Sequence, residues 1–166
     1  MAPISRLCAI SFATIGIIWV NHHVVLAQVA RADRAFLFLN LALLLSVAFI
    51  PFPTRVLAEF VRTDNGQAAA LLYGFTMLTM SAAFLSVWLY ASVGRRLIRP
   101  DADPKAISGI TRSFLPGLPM YVAATLVALV SPEASAALFG LLALFYVVST
   151  AVLGRSAPAV NGQNSA

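Results

Sequence analysis

The chain has 166 residues, 60% of them hydrophobic and 10% charged, with a mean hydropathy of +0.88. An average soluble domain is about 45–50% apolar and about 25% charged, so the main solvent of this chain is lipid and a cytosolic enzyme is excluded. Eleven cations against six carboxylates give a net charge of +5, but ten of the eleven are arginines scattered at the ends of apolar runs, a pattern of membrane topology rather than of nucleic-acid binding.

A helix needs roughly 20 mainly apolar residues to cross the hydrocarbon. Five stretches meet or approach that length, at residues 7–28, 35–54, 68–93, 114–130 and 134–153. They predict an all-α fold, a polytopic transmembrane helix bundle of five spans over residues 1–154. The first stretch holds the conspicuous polar set Trp19, Asn21, His22 and His23. Polar groups inside a span are costly and are functional candidates by default. At 3.6 residues per turn Ser11, Ile15, Trp19 and His22 share one stripe and His23 lies about 100° away, so the two imidazoles cannot chelate one ion as an H-x-x-x-H pair could. Two readings are open. Either the histidines sit near the membrane boundary and satisfy carbonyls or water, or one imidazole faces the bundle and holds a partner helix in register around a polar path.

Arg31 to Arg34 form a tight first loop. The second span carries Asn40 between Leu39 and Leu41 and ends in Pro51 and Pro53. Each proline lacks an amide donor and pushes the preceding residue out of helical geometry, which predicts a structural break there, or a proline stop at the interface. Asn65 and Gly66 close the second loop as a turn pair. In the third span Gly74, Ser81, Ala82, Ala83 and Ser86 make a small-residue stripe suited to close packing. Trp88 and Tyr90 near its end suit an interfacial belt. Residues 94–112 form the one sizeable loop, where Pro100, Asp101, Asp103 and Pro104 are read as helix breakers. The fourth span is short and borrows a turn on its N-terminal side, with Arg112 reaching toward the headgroups. Ser131, Pro132 and Glu133 make a hairpin, and residues 155–166 are a polar tail expected to be disordered.

Alternate loops lie on opposite sides. Arg6, Arg55 and Arg62 fall on one side, against Arg31, Arg34, Arg95, Arg96, Arg99, Lys105, Arg112 and Arg155 on the other. Three against eight predicts an outside N-terminus and a cytoplasmic C-terminus, the arrangement of a bundle whose leading helix is missing. All six carboxylates lie in loops or at span ends. No nucleophile–base pair, phosphate loop or dinucleotide fingerprint is present, and with one cysteine, Cys8, and two histidines no metal site or cofactor is expected.

The run over residues 11–26 with its IG-x-x-W-x-x-HH element, then Asp33, then Leu39-Asn40-Leu41, then Pro51-Phe52-Pro53-Thr54, resembles the bacterial branch of the transmembrane protein 175 family of potassium-selective channels. The resemblance is specific over about residues 11–60 and rests on span spacing from Ala68 onward. It implies that these spans are the second to sixth helices of a six-helix repeat, the absent first one carrying an Arg-x-x-x-Phe-Ser-Asp motif and lining the pore. It also implies a homotetramer in the bacterial cell membrane conducting potassium ions passively. By the same resemblance Trp19, Asn21, His22, His23 and Asn40 form a hydrogen-bond cluster that supports the pore helix, His22 or His23 bonding its Arg and Asp side chains. The reading is therefore a potassium-permeable channel subunit, N-terminally shortened. The alternative is a non-conducting membrane protein that serves as an assembly or regulatory partner, and a transporter or redox protein using the histidine pair is a third possibility.

Overall fold

The computed structural model describes the backbone of residues 2–154 and the side chains of residues 15–146. The expected tail at 155–166 and the side chains of Arg6, Cys8 and Arg155 lie outside the described residues. Seven α-helices follow one another, α1 (Ala2–Ala27), α2 (Arg34–Phe49), α3 (Pro51–Phe60), α4 (Gly66–Ser92), α5 (Pro104–Phe114), α6 (Gly117–Val127) and α7 (Pro132–Gly154). Among the described residues there is no strand, and an isolated antiparallel bridge pairs Val29 with Ile98.

The proline pair does not break the second span. Ile50 stays right-handed helical (φ −50°, ψ −42°), its N–H bonding Val47 O at 3.2 Å, and Thr54 N reaches back to Ile50 O at 3.2 Å. The turn tightens to an i→i−3 bond just where Pro51 has no amide to give, because a proline is tolerated at the first position of a helical segment. The Thr54 hydroxyl also donates to Ile50 O at 2.8 Å. The expected break is thus a tightened turn, and residues 34–60 form one rod of 27 residues ending at Phe60 rather than at residue 54. The segment Arg34–Phe60 and the segment Gly66–Arg95 are each long and apolar enough to cross a membrane among the described residues.

The loop expected at 94–112 also differs. Asp103 is an N-cap whose carboxylate accepts from Lys105 N at 2.9 Å, and Pro104 occupies the first position of α5. Read together these residues are a helix start signal and not a breaker. The chain stays right-handed helical through Leu115 and Pro116, so α5 passes into α6 across a proline kink.

α4 is the central rod. Its Met77, Val87, Trp88 and Ala91 are buried with Val25 of α1 and Phe36, Leu43 and Ile50 of the α2–α3 rod. Gly74 lets α6 approach closely: a Cβ there would lie 2.5 Å from Thr125 Oγ1. Ser135 of α7, fully buried, donates to Ala124 O at 2.7 Å and fastens α7 to α6. The small-residue stripe is split, Gly74 being buried and Ala82 and Ser86 facing outward from this chain, since residues 74 and 81 share a face that 82 and 86 do not. The hydroxyls of Thr76, Thr79 and Ser86 donate to the carbonyls four residues back, which satisfies them within their own helix where no water is needed.

Candidate functional site: the polar braces between the first two helices

α1 and α2 run antiparallel out of the first loop, so His22 and Asn40 meet at nearly the same depth, roughly 8–9 Å in from the loop at 1.5 Å per residue. His22 Nε2 lies 2.6 Å from Asn40 Oδ1. With the amide oxygen as acceptor, the imidazole carries its proton on Nε2 and donates. His23, one residue on, points elsewhere: its ring stacks on Trp19 at 5.6 Å between centroids and 17° between planes, the i, i+4 geometry of a helix face. Trp19 is 65% exposed, so this stacked pair lies on the outer face of α1. Asn21 faces the other way and lines a cavity of about 80 Å³ between α1, α4, α6 and α7, shared with Tyr73, Ser81, Tyr121 and Tyr146. The five residues singled out in the sequence therefore form two contacts and one cavity wall rather than a single cluster.

A second knot lies at the first loop. Asp33 caps α2 by accepting from Phe36 N at 2.9 Å, and its other oxygen accepts from the Tyr90 hydroxyl at 2.9 Å and from Arg96 at 3.4 Å. The Arg96 guanidinium also lies 4.8 Å from the centre of the Tyr90 ring, within cation–π range. The carboxyl of Asp33 is held below the ordinary carboxylate range, first by the Phe36 N–H. Tyr90 and Arg96 add to this against a partial desolvation that works the other way.

The sequence pattern suits Trp88 and Tyr90 to an interfacial belt. Tyr90 ties the first loop to the end of α4, whereas Trp88 is fully buried, its indole N–H donating to Thr111 Oγ1 at 2.8 Å. These are pairings across 57 and 23 residues of chain, and the sequence carried no periodic signal for them.

The first loop and the segment after α4 are joined by backbone as well. Ala30 N bonds Leu97 O and Arg99 N bonds Gln28 O, both at 2.9 Å. The reversal before this bridge uses two consecutive left-handed residues, Gly94 (φ 64°) and Arg95 (φ 52°). The first is glycine, which adopts that conformation freely. The second is held by its own guanidinium, which donates to the carbonyls of Arg99 at 3.3 Å and Ala102 at 2.9 Å. At the far end Gln67 donates to Leu129 O at 2.9 Å, so the second and fourth loops also share one end. Among the described residues no group of three or more His, Cys, Asp or Glu could hold a metal ion.

Apolar rods, self-satisfied hydroxyls and carboxylates kept to the two ends define an integral-membrane helical bundle. Residues 5–51 match the profile of the family described as endosomal/lysosomal potassium channel TMEM175. A potassium channel of Streptomyces collinus is 41% identical over 138 residues, 82% of this chain and 67% of the relative. A potassium channel of Chamaesiphon minutus is 34% identical over 138 residues, 83% and 68% of the two chains. The fold is similar to the crystal structure of a lysosomal potassium-selective channel TMEM175 homologue from Chamaesiphon minutus, with a TM-score of 0.78 and 30% identity, covering 89% of this chain and 74% of that one. The chain belongs to the TMEM175 family, a family of channels and not of enzymes.

Proposed function

We propose that this chain is a subunit of a potassium-permeable channel that conducts cations passively through a pore on an oligomer axis. The observation that carries the reading is the likeness, across more than four fifths of the chain, to two bacterial proteins named potassium channels. In this reading α1, the α2–α3 rod, α4, the α5–α6 pair and α7 cross the membrane as five spans, and a homotetramer builds the pore. The arginine-rich end, where the first and third loops are stapled together, faces the cytoplasm by the positive-inside rule.

Every acidic residue lies in a loop or at a helix end, so selectivity rests on an apolar constriction and on hydroxyl or carbonyl contacts rather than on a carboxylate ring. The His22–Asn40 pair then acts as a positioning contact that holds the α1–α2 hairpin rigid behind the permeation path, while the Trp19–His23 stack stays on the outer face of α1.

Potassium flux into liposomes containing the purified chain, with the Chamaesiphon minutus channel run alongside, tests this. Flux that discriminates potassium from sodium supports the reading. No flux from a chain that native mass spectrometry shows to be tetrameric refutes it.

A further inference from the structure

The two ends of the bundle carry opposite electrostatic characters. The end formed by the first loop, residues 94–103 and α5 holds seven cations and three carboxylates, whereas the end formed by α3, the second loop and the α6–α7 turn holds two cations and three carboxylates. The three carboxylates at the basic end are already engaged. Asp33 pairs with Arg96, Asp101 pairs with Arg99 at 3.0 Å, and Asp103 caps α5. Among the described residues Arg31 and Arg95 donate only to backbone carbonyls, which leaves their charge uncompensated, and Arg34, Lys105 and Arg112 are exposed and carry no carboxylate partner.

α5 determines how this charge is presented. Its Ile107, Ile110 and Phe114 pack against the core, with Phe114 edge-on to Phe84 at 4.8 Å. The opposite face, carrying Lys105, Ser108 and Arg112 at helical spacing, is exposed. The Trp88–Thr111 bond fixes this helix about one turn below the end of α4, at the level where a span leaves the hydrocarbon. A cationic helix face held at that depth, beside further unpaired arginines, matches an anionic headgroup layer in charge and in position.

We propose that this end of the bundle is a docking surface for anionic phospholipid headgroups, with Arg34, Lys105 and Arg112 as the principal contacts to lipid phosphate. The inference rests on the reading of the bundle as membrane-spanning and goes beyond conduction. A cation near an anionic membrane surface is worth about a fivefold change in partition, so three acting additively are worth about a hundredfold, and a preference for phosphatidylglycerol over phosphatidylcholine of at least about tenfold is expected.

The test is native mass spectrometry of lipid retained by the full chain from nanodiscs of equal phosphatidylcholine and phosphatidylglycerol. Phosphatidylglycerol enrichment is expected. It should fall toward parity in the Arg34→Gln/Lys105→Gln/Arg112→Gln variant, persist in the Arg55→Gln/Arg62→Gln variant of the other end, and survive inorganic phosphate exchanged for chloride at constant ionic strength.

Parity in the unaltered chain, enrichment unchanged in the triple variant, equal loss in the opposite-end variant, or displacement by inorganic phosphate would each overturn the proposal. Should the triple variant not fold, the unaltered chain still decides the matter, because an enrichment that does not weaken with ionic strength overturns it. Ion flux does not enter the readout. A chain that retains phosphatidylglycerol but passes no potassium refutes the channel reading alone, and a conducting chain without lipid preference refutes this one alone.

Discussion

Replacing Gly74 by alanine should pry α4 and α6 apart. The added Cβ would lie 2.5 Å from Thr125 Oγ1, 2.7 Å from its Cγ2 and 3.0 Å from its Cβ, against an optimum of about 3.5–4.0 Å for carbon pairs. Thr125 has little room to yield, because it is buried and its hydroxyl is committed to Tyr121 O at 2.7 Å. Relief requires the helices to separate by about 1 Å or Thr125 to leave its rotamer, and such overpacking costs about 1–3 kcal/mol. Thr125→Ala removes the two nearest clashing atoms and leaves the 3.0 Å one, so the double variant should recover part of the loss. The assay is reversible unfolding in mixed micelles followed by tryptophan fluorescence, read as a double-mutant cycle. A Gly74→Ala variant within about 0.5 kcal/mol of the unaltered chain, or two strictly additive single changes, would refute the close-packing argument.

Other consequences are as direct. His22→Leu and Asn40→Leu should each destabilise by about 0.6–1.7 kcal/mol, the range of interhelical hydrogen bonds in bilayers. The double variant should cost less than their sum, and additivity in the same unfolding assay would show that the 2.6 Å contact is not an energetic bond. Because the Asp33 carboxyl is held low by Phe36 N, Tyr90 and Arg96, its contribution is fully present above the ordinary carboxylate range and disappears as pH falls through its lowered value. Tyr90→Phe should therefore move the acid limb of a thermal-stability profile to higher pH, and Asp33→Asn should flatten it. Ser135→Ala removes a buried bond to Ala124 O and should cost about 0.5–1.5 kcal/mol without altering oligomeric state on size exclusion. Trp88→Phe keeps the ring but leaves the Thr111 hydroxyl without its indole donor. The emission of the remaining tryptophan, exposed Trp19, should then stand alone in the spectrum.

The helical class and most of the helix starts could be read because they depend on local chemistry: apolar length and the Asn65–Gly66 turn. The same local rules account for residues 94–112, where Pro104 after Asp103 looks like punctuation, although a proline one residue inside an N-cap opens a helix. At Pro51 and Pro53 the amides are lost as expected, but the remaining donors regroup around Ile50 and the rod continues. What could not be read were the long-range pairings. Nothing local distinguishes a tryptophan facing lipid from Trp88 inside the core, and nothing couples Tyr90 to Asp33 until the helices are placed. The polar residues of α1 were found because they are anomalous in an apolar run, yet their division into an inward His22, an outward His23 and a cavity-facing Asn21 follows from the 100° step per residue once a neighbouring helix is present.

The staple between the first loop and residues 97–99 is made of peptide groups alone, Ala30 N to Leu97 O and Arg99 N to Gln28 O. The side chains of Val29 and Ile98 take no part in these bonds and serve the core instead, Ile98 buried and Val29 packed against it. Apolar exchange there leaves the two loops sewn together, and among single substitutions a proline at position 30 or 99, which alone abolishes a main-chain donor, is the change that would cut the stitch.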